Sequence, residues 1–206
     1  MIASHDSLTY DVPTNKLLNI ISIFWKTQEL DLEQQYELGV RIFDIRVKYY
    51  KGNWHGAHGI YVAKNISFKN ISDICKYFKK TYHDAIIRIY LEDKNKDIID
   101  IYLTECKIAL ISYKDMIWEI GIHYPWTTYF TNDNMPFKEI KEYYCHLFNW
   151  NPDRSIWHNI KNFDWSSWNI KLYSKKHNTV LTNEIKNDNI MHIMDYVGIY
   201  PEKEEN

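Results

Sequence analysis

The sequence predicts an α/β protein arranged as a small or distorted (β/α) barrel, and three observations carry that prediction. Strand-like and helix-like patterns alternate through the first half of the chain, which favours a largely parallel sheet. Strand candidates number about eight over the whole length, as a barrel requires. No repeat, Gly/Ser linker or Pro-rich stretch divides the 206 residues, so residues 1–206 read as a single domain of ordinary size.

The elements follow in order. A leading strand lies near Met1 to Ser4, and Val40 to Val47 reads as a second strand. Phe68 to Tyr82 is an amphipathic helix, because Ile71, Ile74, Cys75 and Phe78 recur at helical spacing. Ala85 to Leu91 is a strand, and Lys96 to Ile111 a helix with Ile98, Ile101, Tyr102 and Cys106 on one face. Further strands are read at Met116 to Ile122, Tyr143 to Phe148, Ile170 to Ser174 and Ile190 to Tyr196, with a short helix at Thr182 to Lys186. A full barrel takes about 250 residues, so some helices must be short or missing.

Composition narrows the function classes. Hydrophobic residues make up 45% and charged residues 25%, which predicts a packed core rather than a disordered chain. Lys and Arg total 25 against 27 Asp and Glu, and a net charge of -2 offers no field to hold nucleic acid. Cys75, Cys106 and Cys145 stand far apart without a CxxC pair, which suits neither a disulfide framework nor a zinc knuckle and fits a reducing cell interior. The start Met-Ile-Ala-Ser-His-Asp has no basic flank before an apolar stretch, and no run approaches 18 apolar residues. The expected location is therefore the cytoplasm, and the expected state is monomeric. The 8 Trp and 17 Tyr suit the level of lipid headgroups, but ordinary core and surface packing is the favoured reading. The abundance of Ile, Asn, Lys and Tyr hints at an AT-rich genome, viral or protozoan.

Period-two geometry puts Ile42, Asp44 and Arg46 on one face of their strand and Phe43, Ile45 and Val47 on the other. Charges near the carboxyl end of a strand covered on both faces suggest a site, and a structural ion pair is the plainer alternative. His5-Asp6 and the run Trp54-His55-Gly56-Ala57-His58-Gly59 add three imidazoles beside strand ends. Imidazoles on opposite sides of a phosphodiester can take one proton and supply another. A lone histidine is more often structural; the adjacent glycines, which permit close approach, favour a site.

The ordered motifs Ala3-Ser4-His5-Asp6-Ser7, Gly39-Val40-Arg41-Ile42-Phe43-Asp44-Ile45-Arg46, His58-Gly59-Ile60-Tyr61, Ile86-Ile87 and Ile193-Met194-Asp195-Tyr196-Val197-Gly198 resemble the phosphatidylinositol-specific phospholipase C X domain, of the bacterial-like, metal-independent type. The resemblance spans almost the whole chain. It implies a distorted TIM-type barrel, with the active site at the carboxyl ends of its strands. It implies that His5 is the general base on the inositol 2-hydroxyl and His58 the general acid on the diacylglycerol oxygen. Asp195 would then hold His5, Asp6 would pair with His58, and Arg46 would bind the phosphate. The first product would be a cyclic inositol phosphate. Asp44, Arg88, Tyr90 and Glu92 would line the substrate pocket.

Calcium-using relatives carry a carboxylate where this chain has Arg46, so the resemblance implies no metal and no other cofactor. The implied partner is a phospholipid at a membrane surface, and the implied place of the chain is peripheral to that membrane. Three departures accompany the likeness. The chain starts only four residues before His5, without the N-terminal helix of the secreted bacterial relatives. It is shorter than those enzymes. In the region Pro136 to Leu147, only Lys138 and Lys141 stand where that branch has an arginine facing inositol. Two other readings remain: a glycerophosphodiesterase or sphingomyelinase D type of barrel, which needs clustered carboxylates for a metal, and a catalytically silent lipid-binding module.

Overall fold

The computed structural model describes residues 1–19, 26–124, 126–143 and 190–195. Strand β1 is Ile2–Ser4, and a one-and-a-half-turn helix, α1 (Leu32–Glu37), follows after the first long connection. Asp31 and Gln34 close a capping box at its start, satisfying two backbone N–H groups that the first turn leaves open. Strand β2 (Val40–Tyr50) is the longest, and it turns through Lys51 and Gly52 into β3 (Asn53–His58) and then β4 (Tyr61–Phe68). Both turn residues have positive φ, 50° and 84°, the conformation that a tight hairpin requires.

Helix α2 (Ile71–Thr81) begins three residues after the start read from periodicity, because Phe68 closes β4 and Asn70 caps the helix by accepting from Asp73 N at 2.9 Å. Its apolar face is the predicted one: Ile71, Ile74, Cys75 and Phe78 are buried, each large side chain contributing about 1.5 to 3 kcal/mol on leaving water. Strand β5 (Ile86–Leu91) leads to α3 (Lys96–Tyr113), which buries Tyr102, Cys106 and Ala109. Ile101, predicted on the same face, is 41% exposed, because the stripe runs 98, 102, 106, 109 at steps of four and three. Strands β6 (Ile117–Ile122), β7 (Thr127–Thr131), β8 (Glu139–Tyr143) and β9 (Ile190–Met194) complete the described elements. The strand read at Tyr143 to Phe148 coincides with this structure only at Tyr143. The rest of it, the strand at Ile170 to Ser174, the helix at Thr182 to Lys186 and Tyr196 lie outside the described residues.

The fold is mixed α/β, with the sheet curled as a half-barrel. Its order is β7-β6-β5-β2-β1-β9-β8, and every neighbouring pair from β6 to β8 is parallel. Strand β7 runs antiparallel on β6, and the β3–β4 hairpin folds off the far half of β2. Alternation along the strands separates two cores. Phe43, Ile45, Val47, Ile87, Ile89 and Leu91 pack outward against α2 and α3. Ile42 faces inward with Ala3, Trp118, Phe137, Met191 and Ile193. This inner cluster fills the amino-terminal end of the half-barrel, and the charged residues of β2 and β5 stand above it toward the strands' carboxyl ends. Among the described residues, no helix is long and apolar enough to cross a membrane.

Candidate active site

The turn after β1 carries His5 and Asp6, and it is fastened from below. Gln28 Nε2 donates to His5 O at 3.0 Å, Thr9 Oγ1 donates to Asp6 O at 3.0 Å, and Gln35 Nε2 donates to Ser7 O at 3.1 Å. Thr9, Gln28 and Gln35 are all buried. Asp6 itself has φ of 46°, a left-handed conformation that aspartate tolerates better than most residues and that recurs where a side chain must be aimed.

His5 is held from both sides. Its Nδ1 lies 2.6 Å from Asp195 Oδ1, and its Nε2 lies 2.7 Å from Arg46 Nη2. A carboxylate only accepts and a guanidinium only donates, so Nδ1 carries the hydrogen and Nε2 the lone pair. Burial pushes the His5 pKa well down, and Arg46 adds to the effect against the pull of Asp44. His5 is therefore a neutral imidazole whose basic nitrogen faces the site.

Arg46 is the centre of the constellation. Its Nε pairs with Asp6, its Nη2 lies 3.3 Å from Asp44 Oδ2, and its Nη1 lies 3.4 Å from Glu92 Oε1. Asp44 is also gripped by Arg88, Nε to Oδ1 at 3.0 Å and Nη2 to Oδ2 at 2.8 Å, the two-pronged geometry that suits a guanidinium. Burial opposes ionisation of Asp44, but Arg88 and Arg46 hold its carboxyl far below the ordinary range. Asp6 goes the other way: burial raises it, and Asp44 and Glu92 add to this against Arg46 and His58. His58 Nε2 lies 3.4 Å from Asp6 Oδ2, and the His5 and His58 rings face each other edge to face with centroids 6.3 Å apart. His5, Asp6, Asp44, Arg46, His58, Arg88, Glu92 and Asp195 thus converge in one place. His55 does not join them; its Nδ1 bonds Ala63 O at 2.9 Å, and its ring packs on Tyr50.

With that geometry in view, the likeness to solved structures is informative. The fold is similar to that of bacterial phosphatidylinositol-specific phospholipases C. Against the Staphylococcus aureus enzyme the TM-score is 0.52 at 17% identity, covering 96% of this chain and 86% of that one. Against the Listeria monocytogenes enzyme it is 0.53 at 17% identity, covering 98% and 88%. No family model matches the chain, and neither does any curated protein sequence. At this identity the likeness establishes the fold.

Tyr90 stands beside the cluster rather than in it. Its hydroxyl bonds Glu119 Oε1 at 2.7 Å and Thr128 Oγ1 at 2.9 Å, and its ring stacks on Trp126 with centroids 4.7 Å apart. The ring of Trp126 in turn lies 5.8 Å from the Arg46 guanidinium. Sequence reading missed His123, whose Nδ1 lies 2.5 Å from Glu92 Oε1. The available signal was its place directly after β6, since residues at the carboxyl ends of barrel strands face the site. Beside the cluster opens a groove of about 450 Å³ lined by Lys48, Gly59, Ile60, Glu92, Asp93, Lys94 and Tyr124. His5, Asp6 and Asp44 each offer a ligand atom within 4.8 Å of one another, a set that could hold a cation. Arg46 already contacts all three.

Proposed function

We propose that this chain is a phosphodiesterase that cleaves phosphatidylinositol, or a related phospholipid, by paired histidine acid–base catalysis without a metal. The observation that carries the reading is the buried His5, held between Asp195 and Arg46, with the His58 ring edge to face beside it at a centroid distance of 6.3 Å. His5 Nε2 removes the proton from the headgroup hydroxyl, whose oxygen forms a bond to phosphorus. The bond from phosphorus to the diacylglycerol oxygen breaks, and His58 supplies the proton that this oxygen takes up. Asp195 stabilises the His5 imidazolium as it forms, and Asp6 holds the protonated His58 ring in place until its proton passes to the leaving oxygen. Arg46, released from His5 Nε2 by the entering hydroxyl, neutralises the charge growing on the non-bridging oxygens. The products are diacylglycerol and a cyclic inositol phosphate.

The rim fits a lipid surface. Ile60 and Trp126 are 71% and 51% exposed, Tyr124 lies near them, and Lys48 and Lys94 flank the groove. Apolar and aromatic tips with adjacent amines suit an anionic headgroup layer. A second reading, a metal-dependent phosphodiesterase, has one observation in its favour: the fold brings Asp6 alongside Asp44, with Asp6 N 3.4 Å from Asp44 Oδ2. Against it, Arg46 supplies a fixed positive charge at the place where the cation would sit. The deciding experiment incubates the protein with vesicles of single phospholipids, with and without EDTA, and identifies the products by mass. Diacylglycerol and cyclic inositol phosphate, formed equally in EDTA, are expected. Loss of activity in EDTA restored by a divalent cation selects the second reading, and no cleavage of any lipid leaves a binding module.

A further inference from the structure

Three imidazoles gather around the Arg46 cluster, each beside a buried carboxylate: His5 with Asp195 and, at 3.5 Å, with Asp6, His58 with the same Asp6, and His123 with Glu92. The carboxylate of the third pair also holds the backbone that follows the second histidine. Glu92 is 2% exposed and reaches three groups at once. Its Oε1 takes His123 Nδ1 at 2.5 Å and Arg46 Nη1 at 3.4 Å, and its Oε2 accepts the backbone N–H of Gly59 at 3.2 Å. Gly59 has φ of 58° and directly follows His58, so that hydrogen bond fastens the turn carrying the second histidine. Backbone contacts fix the pair in turn: Glu92 N donates to Val47 O at 2.8 Å, and His123 N donates to Leu91 O at 2.9 Å. The His123 ring is wedged between Tyr124 and Trp126, at centroid distances of 4.2 and 5.1 Å.

We infer that His123 is a positioning residue for the proposed phosphodiester cleavage: by holding the Glu92 carboxylate, it sets the orientation of the Arg46 guanidinium and of the His58 turn together. Glu92 carries two oxygens and serves three donors, so its rotation is fixed only while each donor is in place. Without the His123 donor the carboxylate turns toward Arg46, drawing the guanidinium off the phosphate and loosening the Gly59 tether. The loss falls on the chemical step, where charge develops opposite Arg46, more than on substrate affinity.

The inference rests on the phosphodiesterase reading, and its test separates the two. His123→Ala is expected to lower kcat on phosphatidylinositol vesicles by roughly tenfold or more, with KM little changed, since small misplacements of positioned groups cost up to 10²-fold. His123→Asn keeps a donor at the Nδ1 position and is expected to recover most of that loss. His123→Gln places its amide at the Nε2 position and is expected not to. Combined with Glu92→Gln, His123→Ala is expected to lose little more than Glu92→Gln alone. A parallel titration with inorganic phosphate, read from the Arg46 Nε–H resonance, should show weaker binding in the Ala and Gln variants than in the Asn variant.

Cleavage by the wild type with unchanged kcat in His123→Ala overturns the positioning role and leaves the enzyme reading intact. Equal losses in the Asn and Ala variants also overturn it. No cleavage, with phosphate binding that still follows the Asn–Ala contrast, refutes the enzyme reading and keeps the positioning role. Neither cleavage nor phosphate binding refutes both.

Discussion

Which nitrogen of His5 carries a proton is decided by its two neighbours, and the same reasoning separates the two histidines of the His55-Gly56-Ala57-His58 run. His58 reaches Asp6 and faces His5, whereas His55 is spent on the Ala63 carbonyl. Replacing His5 or His58 by Ala is therefore expected to lower kcat by roughly 10² to 10⁴, the usual worth of a positioned proton-transfer group. The double replacement should lose far less than the product of the two losses, because the groups act in one event. His55→Ala should stay close to wild type, and steady-state kinetics on phosphatidylinositol vesicles read all four variants. A dead His55→Ala beside an active His58→Ala would reverse the assignment. From the residues alone this choice was not legible, because both rings neighbour glycine. It was the following Gly59-Ile60-Tyr61, through the family resemblance, that pointed to His58. His123 escaped because no motif contains it; only the three-dimensional path of Glu92 brings it in.

At the scale of elements, legibility followed the length of the pattern. Strand β2 alternates cleanly over Ile42 to Val47, and that alternation put Asp44 and Arg46 on the face where the structure has them, opposite the outer core of Phe43, Ile45 and Val47. Helix α2 repeats its apolar stripe over three turns and was equally readable. By contrast, α1 spans six residues, too few for a period to show, and β3 is interrupted by Gly56 and two histidines, so its strand character comes from pairing with β2 and β4. Gly121 in β6 carries a different kind of signal, since a glycine inside a strand often marks a close approach. A Cβ at this position would lie 2.5 Å from Tyr90 Cζ and 2.7 Å from Thr127 O, one contact with a ring already stacked on Trp126 and one with backbone. Gly121→Ala is expected to destabilise by about 1 to 3 kcal/mol, lowering the melting temperature by roughly 2 to 12 °C. The displaced Tyr90 should also change the Trp126 fluorescence. A melting curve superimposable on wild type would show that this approach is not as tight as the structure has it.

On the scale of the whole molecule, closure of the half-barrel brings the first strand beside the last, so that His5 meets Asp195 across 190 positions through the parallel pairing of β1 with β9. No local pattern links the two; the resemblance pointed to Asp195, and the pairing gives the physical reason. The same closure buries four carboxylates with two guanidiniums and His5, which ties stability to pH. The folded His5 pKa is lowered by burial and then by Arg46, so its contribution is full above the unfolded value of about 6.5 and is lost as pH falls toward the folded value. Asp44 and Glu92 are lowered too, despite burial, by Arg88 and Arg46 for the first and by His123 and Arg46 for the second. Their contributions are full above about 4 and are lost as pH falls through the folded values. Asp6 has the opposite sign: burial raises it, so its contribution is present below about 3.9 and fades as pH rises through its folded value. The urea midpoint, followed by tyrosine and tryptophan fluorescence from pH 8 downward, should therefore fall in two stages, one beginning near 6.5 and a steeper one below about 4. His5→Gln is expected to remove the first stage and keep the second, since it deletes the lowered imidazole and leaves Asp44 between its arginines. A midpoint that is level from pH 8 to 5 in the wild type, or a first stage that survives intact in His5→Gln, would mean that His5 is not held neutral by its surroundings.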